Sequence, residues 1–312
     1  MNLIRGLTNL RAAPSRAVVA IGTFDGLHRG HQALISRTVA LAHERGRPAL
    51  LLTFEPMPRE VMRPDAPPAR LMSFRERWRF LQPSGLGAVC VLRFNAALQS
   101  LSAEQFVALL RDRLAVSAVV VGHDFRFARG GQATAEMLQQ AAQAGGFSVC
   151  VLQPVLVDGE RVSSSAIRAA LGAGDLASAR RLLGRAYSMR GRVVPGKKLG
   201  RTLGFPTANL RVERRLTPLG GIFAVRVHGI QANGRTLAAQ DGVASLGTRP
   251  TVDGVGMLLE AHVFDFDGDL YGQELEVEFV GRLRDELRFD GLDELVQQMH
   301  RDAVAARAIL AV

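Results

Sequence analysis

Apolar positions follow two different rhythms along this chain of 312 residues. In the first half, short unbroken apolar runs alternate with stretches of helical period. Residues 17–24 (Ala-Val-Val-Ala-Ile-Gly-Thr-Phe), residues 49–54 (Ala-Leu-Leu-Leu-Thr-Phe), Val119–Val121 and Phe147–Leu152 read as buried strands. Helical patterns run from about His31 to Glu44, stopped by Gly46, and over Ala135–Ala144, stopped by Gly145-Gly146. A third opens with a capping box at Ser102–Gln105 and runs to about Leu114. Strands alternating with helices predict an α/β unit with a parallel, doubly wound sheet, whose ligands bind beyond the carboxyl ends of the strands.

Two short helices are predicted around Ser164–Leu171 and Asp175–Leu183, and from about Tyr187 the period changes to two. Ile222–His228, Thr236–Ala239, Leu258–Phe264 and Glu274–Phe279 alternate between turn signals at Asn233-Gly234, Asp253-Gly254 and Asp267-Gly268. This predicts a small antiparallel barrel. A last amphipathic helix starts near Gly291 and runs to about Ile309, with Leu292, Leu295, Val296, Met299 and Val304 assigned to one side. The domain boundary is expected near Gly184–Ala186, giving domains 1–184 and 185–312.

Composition narrows the function classes. At 47% hydrophobic and 22% charged, each half can bury a core of its own. The net charge of +10 suits nucleic acid, an anionic membrane, a small polyanion such as ATP, or simply a basic surface. The basic residues are scattered, with doublets at Lys197-Lys198 and Arg214-Arg215 and no polybasic tail or aromatic-interleaved strip, which argues against nucleic acid. No stretch is long and apolar enough to span a bilayer, and Met1–Gly6 carries no apolar signal core, so a cytoplasmic location is expected. Cys90 and Cys150 lie in apolar runs and read as buried thiols, not as a disulfide or metal pair.

The sharpest chemical feature is Gly22-Thr-Phe24-Asp-Gly-Leu-His28-Arg-Gly30-His31, a glycine-bearing turn between a buried strand and a helix. Glycines let backbone approach phosphate, and a helix N-terminus offers free N–H groups and a positive dipole end. Histidines three apart can face one phosphate chain, as neutral donors because the dipole disfavours a charged ring. The plain alternative is a tight turn bearing two surface histidines. The segment resembles the HxGH motif of nucleotidylyltransferases and, in its full form, the FMN adenylyltransferase half of the bacterial bifunctional riboflavin kinase/FMN adenylyltransferase (FAD synthetase) family. Gly122-His-Asp124-Phe125-Arg-Phe127 and Ser163-Ser164-Ser165-Ala-Ile-Arg168 resemble two further segments of that family. The resemblance implies His28, His31 and Arg168 as catalytic, Gly22, Phe24, Gly30, Ser164 and Ser165 as nucleotide-binding, and Asp124 and Phe125 as flavin-binding. Core phenylalanines and an ordinary serine cap are the alternatives for the last two segments. Two departures stand out. Ser165 replaces a threonine, keeping the hydroxyl. Met57 stands where the family pattern has histidine; methionine either packs there or weakens adenylylation, if that histidine touches phosphate or flavin.

The second feature is Gly196-Lys197-Lys-Leu-Gly200-Arg201-Thr-Leu-Gly204-Phe-Pro206-Thr207-Ala-Asn209. It is no Walker loop, because no Gly-Lys-Ser/Thr ends it and no helix pattern follows. It reads as a loop whose backbone, Lys197 and Arg201 can cover phosphates, followed by two oxygen-bearing side chains at alternate positions, which suit Mg²⁺. The run resembles the riboflavin kinase motif of the same family without a break. The loop reading gives Gly196, Lys197, Gly200 and Arg201 to the nucleotide, and the resemblance assigns Thr207 and Asn209 to Mg²⁺ and the ATP phosphate. Leu258-Leu-Glu260-Ala-His262 places Glu260 and His262 on one face. By resemblance, Glu260 is the base that takes the riboflavin hydroxyl proton; Ser245 stands where the family has asparagine. The resemblance thus implies a Rossmann-like nucleotidylyltransferase domain followed by a riboflavin kinase barrel with a C-terminal helix. Its substrates are ATP, riboflavin and FMN, its partners are small molecules only, and its oligomeric state is left open.

Overall fold

The computed structural model describes every residue except 197, 198, 215, 252, 253 and 312. Its contacts form two units: Met1–Pro68 with Arg77–Ser163, and Ala69–Glu76 with Ser164–Val312.

The first unit is built on β1 (Asn2–Arg5), β2 (Val18–Ile21), β3 (Ala49–Phe54), β4 (Ala88–Leu92), β5 (Ala118–Gly122) and β6 (Ser148–Leu152). All neighbours are parallel, in the order β1-β4-β3-β2-β5-β6. Leu50, Leu51 and Leu52 are fully buried although they point to alternate faces. Both faces of the central strands are therefore covered, which is why those strands read as unbroken apolar runs. The edge strand β1 buries only Ile4, so it left no such run to read. α1 (Arg29–Glu44) crosses from β2 to β3 and buries Leu34, Ile35, Leu41 and Ala42. α2 (Phe74–Leu81) and α3 (Ala135–Gly145) follow. The capping box at Ser102 is present, but its helix is α only over Ala103–Ala108 and widens to a π turn at Leu109–Arg113, where Leu109 and Leu110 are buried. From β2 the chain builds the sheet one way to β4, then returns to place β5 on the other side of β2. That reversal opens a crevice beyond the carboxyl ends of β2 and β5.

The second unit holds a closed barrel of β7 (Ser188–Val194), β8 (Ala208–Val212), β9 (Gly221–His228), β10 (Gln240–Thr251), β11 (Gly254–Val263) and β12 (Glu274–Arg284). The order is β7-β8-β11-β10-β9-β12, and every neighbour is antiparallel. Closure leaves no strand edge, and alternate residues such as Phe223, Val225, Leu259, Ala261, Val277 and Phe279 fill the interior. Of the segment expected at Thr236–Ala239 only Thr236 is in a strand, the short Arg235–Thr236 that pairs with Gln231–Ala232. The turn expected at Asp253-Gly254 includes residue 253, which lies outside the described residues. α4 (Ser164–Gly172), α5 (Leu176–Leu183) and α6 (Leu292–Leu310) belong to this unit.

The face expected for the last helix is corrected. Leu292 and Val304 are 56% and 70% exposed, whereas Asp302, Ala306 and Leu310 are buried. α6 docks by its C-terminal half on Ala224, Val243, Phe264 and Leu283, and the Asp302 carboxylate accepts from Arg284 Nη2 at 2.6 Å. A carboxylate on the buried face hid the true stripe from a hydrophobic reading.

Arg214, half of an expected surface doublet, is likewise buried. Its Nη2 donates to both Glu76 oxygens at 2.5 Å, and its Nη1 donates to the Leu71 carbonyl at 2.9 Å and the Tyr187 hydroxyl at 2.8 Å. Glu76 also accepts the Arg190 N–H at 2.8 Å. This network clasps Ala69–Glu76 to the barrel. Arg215 lies outside the described residues.

Candidate functional site

The first candidate site is the turn between β2 and α1. Phe24, Gly26 and Leu27 have positive φ (53°, 85° and 42°), and Phe24, Asp25, Leu27 and His28 are buried. A Cβ on Gly22 would touch the Phe24 ring at 3.3 Å, so a small residue is needed where the chain folds back. His28 caps α1: its Nδ1 accepts the His31 N–H at 3.3 Å. A nitrogen that accepts carries no proton, so the proton is on Nε2 and the ring is a neutral donor. A Cβ on Gly30 would press on that ring at 3.2 Å. The His31 ring stacks on His28 with centroids 3.6 Å apart and an interplanar angle of 17°. Burial, then the nearby His28, then the Arg77 guanidinium hold the His31 imidazole well below its usual titration range. His31 is therefore neutral too, and its Nδ1 is buried without a hydrogen-bond partner among the described residues.

The other candidate residues of this half lie in several elements. Asp124, after β5, is exposed and accepts from Arg161 Nη2 at 2.6 Å. Arg161 sits in a ribbon of Leu156–Val157 and Glu160–Arg161. The next carbonyl, of Val162, would lie 3.8 Å from a Cβ on Gly30, so the ribbon passes the start of α1. Phe125 is half-buried, packs on the core of the sheet and stacks with Phe127 at 5.7 Å. Met57 is 4% exposed and its N–H donates to the Glu60 carboxylate at 2.9 Å, so it occupies an apolar position. Ser164, Ser165 and Arg168 open α4 in the second unit, where Arg168 Nε donates to the Ala69 carbonyl at 2.6 Å.

Sequence reasoning missed Arg161 and Arg77. Arg161 lay two residues before a segment already singled out. Arg77 left no signal, since an arginine in a polar helical stretch reads as solvated. It is in fact buried, with Nη2 donating to Glu55 Oε2 at 2.7 Å and Nη1 to the Thr23 carbonyl.

The second candidate site lies on the barrel's outer face. Register sets Asn209 of β8 beside Glu260 of β11, and Glu260 beside Ser245 of β10. Their neighbours Ala208, Leu210, Leu259, Ala261, Ala244 and Leu246 point into the core, so the three polar side chains form one outward row. A Cβ on Gly196 would collide with the Asn209 amide, and one on Gly200 would lie 3.4 Å from Thr207 Oγ1. These glycines let the loop close over both oxygens. The loop is more ordered than expected, with one helical turn at Leu199–Thr202 and exposed Arg201. Lys197 lies outside the described residues. His262 Nδ1 is 2.8 Å from the Pro206 carbonyl, and buried Phe205 meets the edges of His262 and His300 at 5.2 and 4.8 Å. Ser245 Oγ donates to Glu286 Oε1 at 3.4 Å, and a Cβ on Gly247 would collide with that carboxylate. Glu286 was not anticipated; only the bare glycine facing it could have hinted at its place.

Comparison with known proteins fits this two-site arrangement. A family described as FAD synthetase matches residues 10–166, and one described as riboflavin kinase matches residues 183–310. A bifunctional riboflavin kinase/FMN adenylyltransferase of Escherichia coli K12 is 42% identical over 98% of this chain and 97% of its own. A protein of the same description from Pseudomonas fluorescens is 44% identical over 100% and 98%. A crystal structure from Streptococcus pneumoniae, described as a macrolide-efflux protein, has a TM-score of 0.82 at 31% identity and covers 98% of this chain and 99% of that one. Among the described residues, no helix is long and apolar enough to cross a membrane.

Proposed function

The chain belongs to the bifunctional riboflavin kinase/FMN adenylyltransferase family, and from that premise we propose that it makes FMN from riboflavin and ATP, then FAD from FMN and a second ATP. The kinase is assigned to residues 185–312 and the adenylyltransferase to residues 1–184. The matched segments 183–310 and 10–166 support that division. Its partners are these small molecules, and a cytoplasmic location is part of the proposal.

At the barrel, Glu260 accepts the proton of the riboflavin 5′-hydroxyl as that oxygen attacks the γ-phosphorus of ATP and ADP leaves. Gly196, Lys197, Gly200 and Arg201 cover the phosphates. Thr207 and Asn209 offer neutral, hard oxygens one register step from a carboxylate, and the bare Gly196 leaves the Asn209 amide its space; this donor set fits Mg²⁺. Mg²⁺, when bound, neutralises phosphate charge.

At the sheet, an FMN phosphate oxygen attacks the α-phosphorus of ATP and pyrophosphate leaves, without a covalent enzyme intermediate. His28 and His31 act as neutral N–H donors to the phosphate oxygens that gain charge, beside the N–H groups of α1. Gly22, Phe24 and Gly30 shape the nucleotide turn. Ser164, Ser165 and Arg168 contribute donors and a positive charge, and Asp124 and Phe125 hold the flavin.

The observation that carries the reading is the pair of phosphate-handling sites, one in each unit: stacked histidines locked by a helix cap, and an oxygen row beside a glycine loop. The test is product analysis with riboflavin, ATP and Mg²⁺. FMN should appear first and FAD after it; production of neither overturns the reading.

A further inference from the structure

Arg77 lies outside every motif used above, yet it is among the largest fully buried side chains of the described residues. A buried guanidinium is costly unless its N–H groups are bonded, so such a residue is held for a reason its environment should show. Its fork spans two strand ends. Nη1 donates to the Thr23 carbonyl, in the turn after β2, and Nη2 donates at 2.7 Å to the carboxylate of Glu55, which directly follows β3. Thr53 Oγ1 donates to the same Thr23 carbonyl at 3.4 Å. Thr23 precedes Phe24, whose backbone is left-handed and whose ring is 5.2 Å from that of His31. The arginine therefore forms the floor of the turn that presents both histidines. Glu55 is 29% exposed and Arg77 only 2%, so water screens the carboxylate more than the cation beneath the turn.

We propose that Arg77 is a positioning residue for adenylyl transfer, fixing the Thr23 carbonyl, in the turn that leads to both histidines, against the end of β3. This rests on the reading of the sheet unit as the adenylyltransferase. The titratable or charged groups of the elements around the His31 ring include His28 and Arg29 at the start of α1, Asp25 of the turn, Arg77 of α2 and Glu55 after β3. Of these, His28 and Arg77 both disfavour protonation of His31, after burial itself. Lysine would keep the charge but not the planar fork that spans carbonyl and carboxylate together. Methionine would remove both.

The experiment compares the full-length wild type, Arg77→Lys and Arg77→Met with FMN, ATP and Mg²⁺, and follows the His31 ring by NMR titration. Both variants should lose about ten-fold or more in kcat for FAD formation, with KM for FMN and ATP changed far less, because Arg77 is buried and acts through the turn. In Arg77→Met the His31 titration should move up, and in Arg77→Lys it should stay. Riboflavin phosphorylation by the same preparations should be unchanged, which separates the effect from general unfolding. Wild-type kcat in both variants, an unmoved His31 in Arg77→Met, or equal loss of both activities would overturn the inference. If Arg77→Met does not fold, the kcat and KM of Arg77→Lys decide. A wild type that forms no FAD would instead overturn the adenylyltransferase reading on which the inference rests.

Discussion

The two candidate sites are built on opposite architectures. The histidine site is set into the core of its unit: Phe24, Asp25, Leu27 and His28 are buried, and two non-glycine residues hold positive φ. The barrel site stands on the outer face, where Asn209, Glu260 and Ser245 share a row but none faces the interior. In the first, chemistry and folding share the same side chains, so a change there alters both. In the second, the alternation of a strand separates them, so the site can change while the core beneath it stays intact. Strained backbone of this kind persists only where the surroundings over-determine it.

The largest expected effect follows from the outward row. Glu260→Ala should lower FMN formation by about a hundred- to ten-thousand-fold, while melting temperature and adenylylation of added FMN remain near wild type. A parallel loss of stability would erase the contrast. Next is Arg214→Met, which strands the buried Glu76 carboxylate and should cost the protein about 3–5 kcal/mol in chemical denaturation. A loss below about 1 kcal/mol would mean that the clasp does not hold Ala69–Glu76 to the barrel.

At the histidine turn, Gly30→Ala should affect function and fold together. The added Cβ meets the His28 ring at 3.2 Å, so we expect FAD formation to fall about ten-fold and stability by about 1 kcal/mol. The smallest effect is at Ser102, which caps the Ala103–Ala108 helix of the first unit away from the histidine turn; Ser102→Ala should cost about 1 kcal/mol and leave both activities unchanged.

What could be read in the sequence follows the same division. β2, β3 and β5 are buried on both faces, so their apolar runs were unmistakable, and the histidine turn was legible because its glycines and histidines sit at fixed spacing. β10 was missed because it begins Gln240-Asp241-Gly242 and carries little alternation until it pairs with β9 and β11. β7 was missed for a related reason, since Arg190 and Arg192 interrupt its apolar pattern. The buried charges were the least legible. Arg77, Arg214 and Asp302 are paired with partners 22, 138 and 18 positions away, and no local pattern announces such a partner. Met57 shows the converse: a departure from a motif that lies in the structure as a buried apolar side chain.

The central claim is that two separable sites in one chain perform successive steps. It is tested most directly by mixing two variants, each lacking one of the two activities. Glu260→Ala alone should convert added FMN to FAD but make almost none from riboflavin, and His31→Ala alone should accumulate FMN. An equimolar mixture of the two, given riboflavin, ATP and Mg²⁺, should produce FAD. A mixture that makes no FAD, although each variant still runs its own remaining step, would contradict the account.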